Sequence, residues 1–162
     1  MIWQTVSTSS EDTEQLGEQL GSLLNGGEVI ELKADLGGGK TTFVRGLARG
    51  FGSADIATSP TFTLSKIYQN NKHQTIYHYD FYRLSDAGIM SDSLAESISD
   101  PTAVTVIEWG DIVADILPKT ALAIAFVRTP DNADQRQITI SYPETLAPLI
   151  EKLENNRVVS KS

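Results

Sequence analysis

The stretch Val29-Ile30-Glu31-Leu32-Lys33-Ala34-Asp35-Leu36-Gly37-Gly38-Gly39-Lys40-Thr41-Thr42-Phe43-Val44 decides the fold. Glu28 to Lys33 is rich in β-forming residues and alternates around Val29, Ile30 and Leu32, which predicts a strand. Three glycines follow. Beyond them Phe43, Val44, Leu47 and Phe51 recur at helical spacing until Gly50 and Gly52 end the pattern. The local order is strand, glycine loop, helix, which is the context a phosphate-binding loop requires.

Within that context Gly37, Gly38, Gly39, Lys40 and Thr41 form the G-x-G-K-T end of the loop motif. Glycines let consecutive backbone N–H groups turn inward around phosphate oxygens, and the helix N-terminus adds partial positive charge. Lys40 is placed to reach the β and γ phosphates, the Thr41 hydroxyl to ligate magnesium, and Thr42 to bond a further phosphate oxygen. One position departs from the strict motif: Ala34 stands where the first glycine belongs. Alanine is costly there only if the backbone needs positive φ. The competing reading, a glycine-rich turn with an incidental lysine, loses weight against the flanking strand and helix.

Working outward, Leu16, Leu20, Leu23 and Leu24 form an amphipathic pattern after the capping residues Ser9 and Ser10 and the acidic Glu11 and Asp12, so a helix precedes the strand and stops at Gly26-Gly27. Phe62–Tyr68 and Thr75–Tyr82 read as a hairpin around Gln69-Asn70-Asn71-Lys72. One or two short helices are expected around Ile89–Ile98, and a buried strand over Ala103–Trp109. Helical turns follow over Ile112–Leu117, then strands over Thr120–Val127 and Gln137–Tyr142 and a helix over Glu144–Glu154. Residues 1–154 are expected to form one domain and 155–162 a flexible tail.

Composition narrows the function. The 162 residues carry 13 Lys plus Arg against 21 Asp plus Glu, a formal charge of -8, so the overall field repels phosphate backbones and argues against independent nucleic-acid capture. There is no cysteine and there are two histidines, which excludes thiolate chemistry and disfavours a histidine-rich metal site. The N-terminal MIWQTVSTSSED lacks the basic and apolar regions of a signal peptide, and the longest apolar run is too short to cross a bilayer; a cytoplasmic protein is expected. Between Leu84 and Pro118 the chain has acidic residues but no lysine or arginine; this reads as a solvated acidic face, with a docking surface for a basic partner as the sharper alternative.

Hydrolysis needs more than a loop, because magnesium needs a second protein ligand and water an orienting base. Glu108 ends the apolar strand Val104-Thr105-Val106-Ile107 and would emerge at the crevice edge of an α/β sheet. Asp80 sits in His78-Tyr79-Asp80-Phe81-Tyr82-Arg83. Either alone reads as a solvated carboxylate; beside the loop both become candidates. Thr58-Ser59-Pro60-Thr61 offers hydroxyls in the manner of a γ-phosphate-sensing switch, though by itself it is a turn. Arg83 suits a phosphate or a partner carboxylate, with a surface ion pair as the ordinary alternative. Trp109 reads as half core, with a ring able to cover a nucleotide, and His78 as a structural residue.

Taken together, Asp35-Leu36-Gly37-Gly38-Gly39-Lys40-Thr41-Thr42-Phe43, Ser59-Pro60-Thr61-Phe62-Thr63-Leu64, His78-Tyr79-Asp80-Phe81-Tyr82-Arg83-Leu84 and Ile107-Glu108-Trp109 resemble, in order and spacing, the TsaE (YjeE) family of ATPase subunits of bacterial tRNA threonylcarbamoyladenosine biosynthesis. The resemblance runs from about Ser10 to Tyr142. It implies an α/β, P-loop NTPase-like three-layer fold with a mixed, largely parallel central sheet, and ATP and Mg2+ as cofactors. It also implies that Leu36 to Thr42, Thr61 and Trp109 bind nucleotide and that Thr41 and Glu108 hold the metal. Lys40, Asp80 and Glu108 would serve hydrolysis, and Tyr82, Arg83 and Trp109 would connect the site to partners. Those partners would be TsaD and TsaB, with tRNA engaged only through the complex and ATP hydrolysis resetting it. Two departures stand out: Ala34 for the family's usual glycine, and Gly38 where the family often has alanine.

Three rivals remain. A small-molecule phosphotransferase would share the loop but usually carries a lid with arginines, against which the arginine-free Leu84–Pro118 stretch speaks. A GTPase would usually bring Asn-Lys-x-Asp, and Asn71-Lys72-His73-Gln74 lacks its aspartate. A catalytically inactive loop module would act structurally.

Overall fold

A computed structural model describes residues 1–161 except 36, 56–64, 83, 85–87 and 89. Strands β1 (Ile2–Ser7), β2 (Val29–Lys33), β3 (Ser65–Gln69), β4 (Thr75–Asp80), β5 (Ala103–Glu108), β6 (Leu122–Thr129) and β7 (Asn132–Ser141) form one sheet in the order β1-β7-β6-β2-β5-β4-β3. Helices α1 (Ser10–Gly21), α2 (Lys40–Gly50), α3 (Met90–Ser99) and α4 (Ala147–Lys161) flank it, with short 3-10 turns at Gly110–Val113 and Glu144–Leu146. The sheet is mixed. The parallel pairing is concentrated in β6-β2-β5-β4, and both edges are antiparallel.

Alternation along each strand sends side chains to two layers. Ile30, Leu32, Val104, Val106, Ile124 and Ile140 pack with Leu16 and Leu20 of α1, Phe43 and Leu47 of α2, and Ile150 and Leu153 of α4. On the opposite face Val29, Tyr79 and Ile107 pack with Leu94 of α3 and Val113. The result is the expected three-layer α/β arrangement.

The pairing of α1 with α2 is unusually close. A Cβ on Gly46 would lie 1.9 Å from the Glu14 carbonyl oxygen, and one on Gly17 2.2 Å from that of Phe43. Backbone therefore meets backbone across the helix pair, an approach only glycine permits. Glu14 fastens the same contact from outside through ion pairs to Arg45 and Arg49. α1 is capped as the sequence indicates, the Asp12 N–H donating to Ser9 Oγ.

The sequence reading missed β1. Ile2–Ser7 pairs antiparallel along β7, from Ile2 opposite Ser141 to Ser7 opposite Arg136. It also misjudged the end of the chain: residues 155–161, expected to be a flexible tail, are the last turns of α4. Arg157 holds them, being 3% exposed and paired with Asp12, while also donating to the Val6 carbonyl 3.1 Å away. Among the described residues no helix is long and apolar enough to cross a membrane.

Candidate functional site

The site lies at the carboxyl ends of the central strands. β4 and β5 run parallel with Asp80 opposite Glu108, and β2 aligns Leu32 with Glu108. Strand alternation puts Ile76, His78 and Asp80 on the same face as Val104, Val106 and Glu108, the face covered by α1 and α2. Both carboxylates are largely withdrawn from solvent, at 5% and 3% exposure. β2 delivers the chain to the glycine loop at this same edge, and α2 starts at Lys40.

Gly37 and Gly39 adopt φ of +74° and +104°, the left-handed region in which side-chain-bearing residues are strained. Ala34 is not among the residues with positive φ, so the methyl at the departure from the motif is accommodated in ordinary backbone. Its carbonyl accepts a 2.7 Å hydrogen bond from Lys40 Nζ. At position 34 that contact uses only the backbone carbonyl and is indifferent to alanine or glycine.

Lys40 is 7% exposed. Burial pulls its pKa below the ordinary lysine value, and the negative charges of Glu108, Asp80 and Asp35 oppose that without cancelling it. Lys40 is thus a cation withdrawn from water beside the glycine loop, with three carboxylates in electrostatic reach, while within the loop the Gly38 N–H donates to the Asp35 carbonyl at 2.9 Å. Thr41 and Thr42, half-buried, follow in the first turn of α2. Thr42 lines a cavity of about 40 Å³ with Ser9, Thr13 and Arg136.

Trp109 directly follows Glu108 with φ +59°, ψ +48°, a conformation rare for a bulky residue and characteristic of functional sites. The turn carries its ring under the Lys40 ammonium, 4.6 Å from the centroid, within cation–π range. Its other neighbour is Tyr82, with ring centroids 4.8 Å apart and Tyr82 41% exposed. Lys40, Trp109 and Tyr82 therefore form a continuous contact from the buried loop to the surface. The Tyr82 N–H donates to Asp80 Oδ1 at 3.0 Å, so the same segment also tethers the second carboxylate.

Two residues of the site were missed in the sequence. Arg128 on β6 donates through Nη2 to the Gly37 carbonyl at 2.9 Å, and Arg136 on β7 through Nε to the Gly38 carbonyl at 3.3 Å. They lie 91 and 98 residues from the carbonyls they reach, and no local pattern marks them. Beside the loop is a cleft of about 560 Å³, lined among others by Glu31, Lys33, Asp35, Trp109, Asp111 and Arg128. Among the described residues no three His, Asp or Glu side chains converge as an all-protein metal cage. Leu36, Thr61 and Arg83, and with Thr61 the expected switch turn from Thr58, lie outside the described residues.

The model of the family described as "Threonylcarbamoyl adenosine biosynthesis protein TsaE" matches residues 7–138. The tRNA threonylcarbamoyladenosine biosynthesis protein TsaE of Treponema pallidum is 41% identical over 136 residues, covering 84% of this chain and 98% of that protein. The protein of the same name from Bacillus subtilis is 35% identical over 139 residues, 86% of this chain and 84% of its own. In three dimensions the crystal structure of Bacillus subtilis YdiB superposes with a TM-score of 0.74 at 29% identity, covering 96% of each chain.

Proposed function

This chain belongs to the TsaE family of tRNA threonylcarbamoyladenosine biosynthesis proteins, and from that premise we propose that it is a magnesium-dependent ATPase of the modification machinery, working with TsaB and TsaD in the cytoplasm. The observation that carries the reading is the convergence at one sheet edge of the desolvated Lys40 ammonium, the glycine loop and the facing carboxylates Asp80 and Glu108. Neither the lysine nor the carboxylates are placed there by core packing, which would favour apolar residues.

The donor set fits the cofactors. ATP supplies the anionic phosphates that the Gly37–Thr42 amides and Lys40 would receive, and Lys40 would exchange the Ala34 carbonyl for a phosphate oxygen. Magnesium, which is usually held by one or two protein oxygens plus phosphates rather than by a protein cage, would be held by the Thr41 hydroxyl and Glu108. When bound it neutralises charge developing on the transferred phosphoryl group. Asp80, fixed by the Tyr82 N–H, orients water as an acceptor. Trp109 shields Lys40 from solvent, and Tyr82 exposes the far end of that contact to a partner. Leu36, Thr61 and Arg83 complete the nucleotide and partner contacts in this proposal. The net charge of -8 favours reaching tRNA through the complex rather than directly.

The test is ATP turnover by the purified protein, alone and with the TsaB–TsaD heterodimer, with Lys40→Ala as control. Turnover that rises with the heterodimer and vanishes in the variant supports the proposal. Absence of turnover in both conditions moves a structural, non-hydrolysing subunit ahead of it.

A further inference from the structure

His78 has no exposed surface, yet it sits in β4 among residues that face an apolar layer. Its Nε2 lies 3.1 Å from Glu108 Oε1, and its Nδ1 3.4 Å from the Tyr68 hydroxyl. Tyr68 is itself 2% exposed and belongs to β3. The three side chains thus form a polar line running sideways across three adjacent strands, β3 to β4 to β5, within an otherwise hydrophobic layer. Register fixes each step: Tyr68 is opposite Ile76, His78 opposite Val106, and Glu108 follows two residues on.

The direction of the line follows from donor chemistry. A carboxylate only accepts, so Nε2 carries the proton toward Glu108, and Nδ1 meets the Tyr68 hydroxyl on the other side of the ring. Among the described residues Glu108 Oε2 receives no hydrogen bond, although the residue is 3% exposed. One oxygen is pinned and the other is left for a ligand. If position 78 served packing alone, an aliphatic residue would fill it without burying an imidazole.

We propose that His78 is a positioning residue for Glu108 as a divalent-cation ligand, and that Tyr68 holds His78 in turn; this rests on the ATP–magnesium reading above. The imidazole fixes the Glu108 carboxylate in one rotamer so that Oε2 is presented at the strand end. Such partners of ligating groups typically change metal affinity by about 10–100-fold when removed.

The experiment uses the full chain, with Mn2+ as the probe ion in the presence of a saturating non-hydrolysable ATP analogue. Bound Mn2+ is read by electron paramagnetic resonance, and analogue affinity is measured separately in chelator. His78→Leu should raise the Mn2+ dissociation constant about tenfold or more while leaving metal-free analogue affinity within about twofold. His78→Gln, whose amide Nε2 can donate from the same place, should recover most of the loss. Tyr68→Phe conserves volume and should weaken Mn2+ by about two- to fivefold, a fraction of the loss expected from removing the donor itself; it carries the test if His78→Leu does not fold. Unchanged Mn2+ affinity in His78→Leu or, where that variant is unfolded, in Tyr68→Phe overturns the proposal, as does His78→Gln no better than His78→Leu. An equal loss of metal-free analogue binding also overturns it, since that marks a general structural role. Failure of the wild-type chain to take up Mn2+ with the analogue overturns the ATP–magnesium reading itself.

Discussion

The Ala34 methyl occupies the place a side chain on Gly38 would need: a Cβ built at Gly38 would lie 2.6 Å from Ala34 Cβ and 2.9 Å from the Asp35 carbonyl oxygen. Positions 34 and 38 are therefore one steric unit. A methyl at one side of the loop is balanced by its absence at the other.

That relationship predicts coupling. Gly38→Ala alone should destabilise the fold by about 1–3 kcal/mol through overpacking, and Ala34→Gly in the same chain should recover at least about 1 kcal/mol of it. The recovery should be partial, since the Asp35 carbonyl stays in place. A double-mutant cycle by urea denaturation measures it, and strict additivity would contradict the shared space.

Lys40→Ala should cost ATP turnover by about 100-fold or more, as removal of a charge aimed at the transferred phosphoryl group does, while shifting stability by less than about 1 kcal/mol. The stability term is small because relief of the ammonium's burial offsets what it gives up among the described residues: one hydrogen bond, a ring contact and the attraction of Glu108, Asp80 and Asp35, which burial outweighs. Steady-state kinetics and chemical denaturation on one preparation separate the two.

Glu108→Ala should weaken magnesium-dependent turnover more than it weakens folding, with metal-free nucleotide affinity kept within about threefold, because in the proposed role the phosphates are received by the loop and not by the carboxylate. Titrating magnesium in the turnover assay checks this. A variant with wild-type magnesium dependence would remove Glu108 from the metal role.

Gly46→Ala should reverse the usual sign of a glycine-to-alanine change in a helix. In an exposed helix alanine gains about 1 kcal/mol; here it should cost about 3 kcal/mol or more, because its Cβ meets the Glu14 carbonyl at 1.9 Å and the helices must separate. A rise in melting temperature would show that α1 and α2 can move apart cheaply.

The Asp12–Arg157 pair should give stability a specific acid limb. Burial alone would raise the Asp12 pKa; the Arg157 hydrogen bond, the Thr8 N–H and the Arg157 and Lys161 charges together outweigh it and hold the group below its ordinary 3.8. The folded value is depressed, so the stabilisation is present in full above the unfolded pKa and is lost as pH falls through the folded one. Asp12→Asn should therefore be less stable than wild type by about 2–3 kcal/mol near neutral pH, from a charged hydrogen bond lost at a buried guanidinium. The gap should begin to narrow below about pH 3.8 and close as pH falls through the lower folded value. Denaturation curves from pH 7 down to pH 3 read it directly.

What the sequence made legible was local. Residues 29–51 announce strand, loop and helix because each signal, alternation, glycine clustering and 3.6-residue spacing, is complete within a dozen residues. Glu108 could be placed at the crevice because strand ends in an α/β sheet have a known direction, and Asp80 was read only as part of a hairpin strand; that the two stand opposite each other is a matter of register, which only the assembled sheet displays. Arg128 and Arg136 escaped because a guanidinium reaching a carbonyl some ninety residues away leaves no periodicity. β1 escaped because its six residues are mostly exposed or half-buried and draw their order from β7. The last turns of α4 read as polar and loose because the anchor that orders them is itself a charge, Arg157, buried against a partner near the other end of the chain.

The β1–β7 pairing also sets an order of events during synthesis. β1 finds its partner only once β7 has been made, and β2, which feeds the glycine loop, waits for β5 and β6 on either side. A chain made as far as residue 100 already holds every glycine of the loop, its lysine and Asp80, but neither neighbour of the strand that supports them. Until residues 103–129 are made, the apolar β2 thus has no partner strand, and the incomplete product is open to off-pathway pairing.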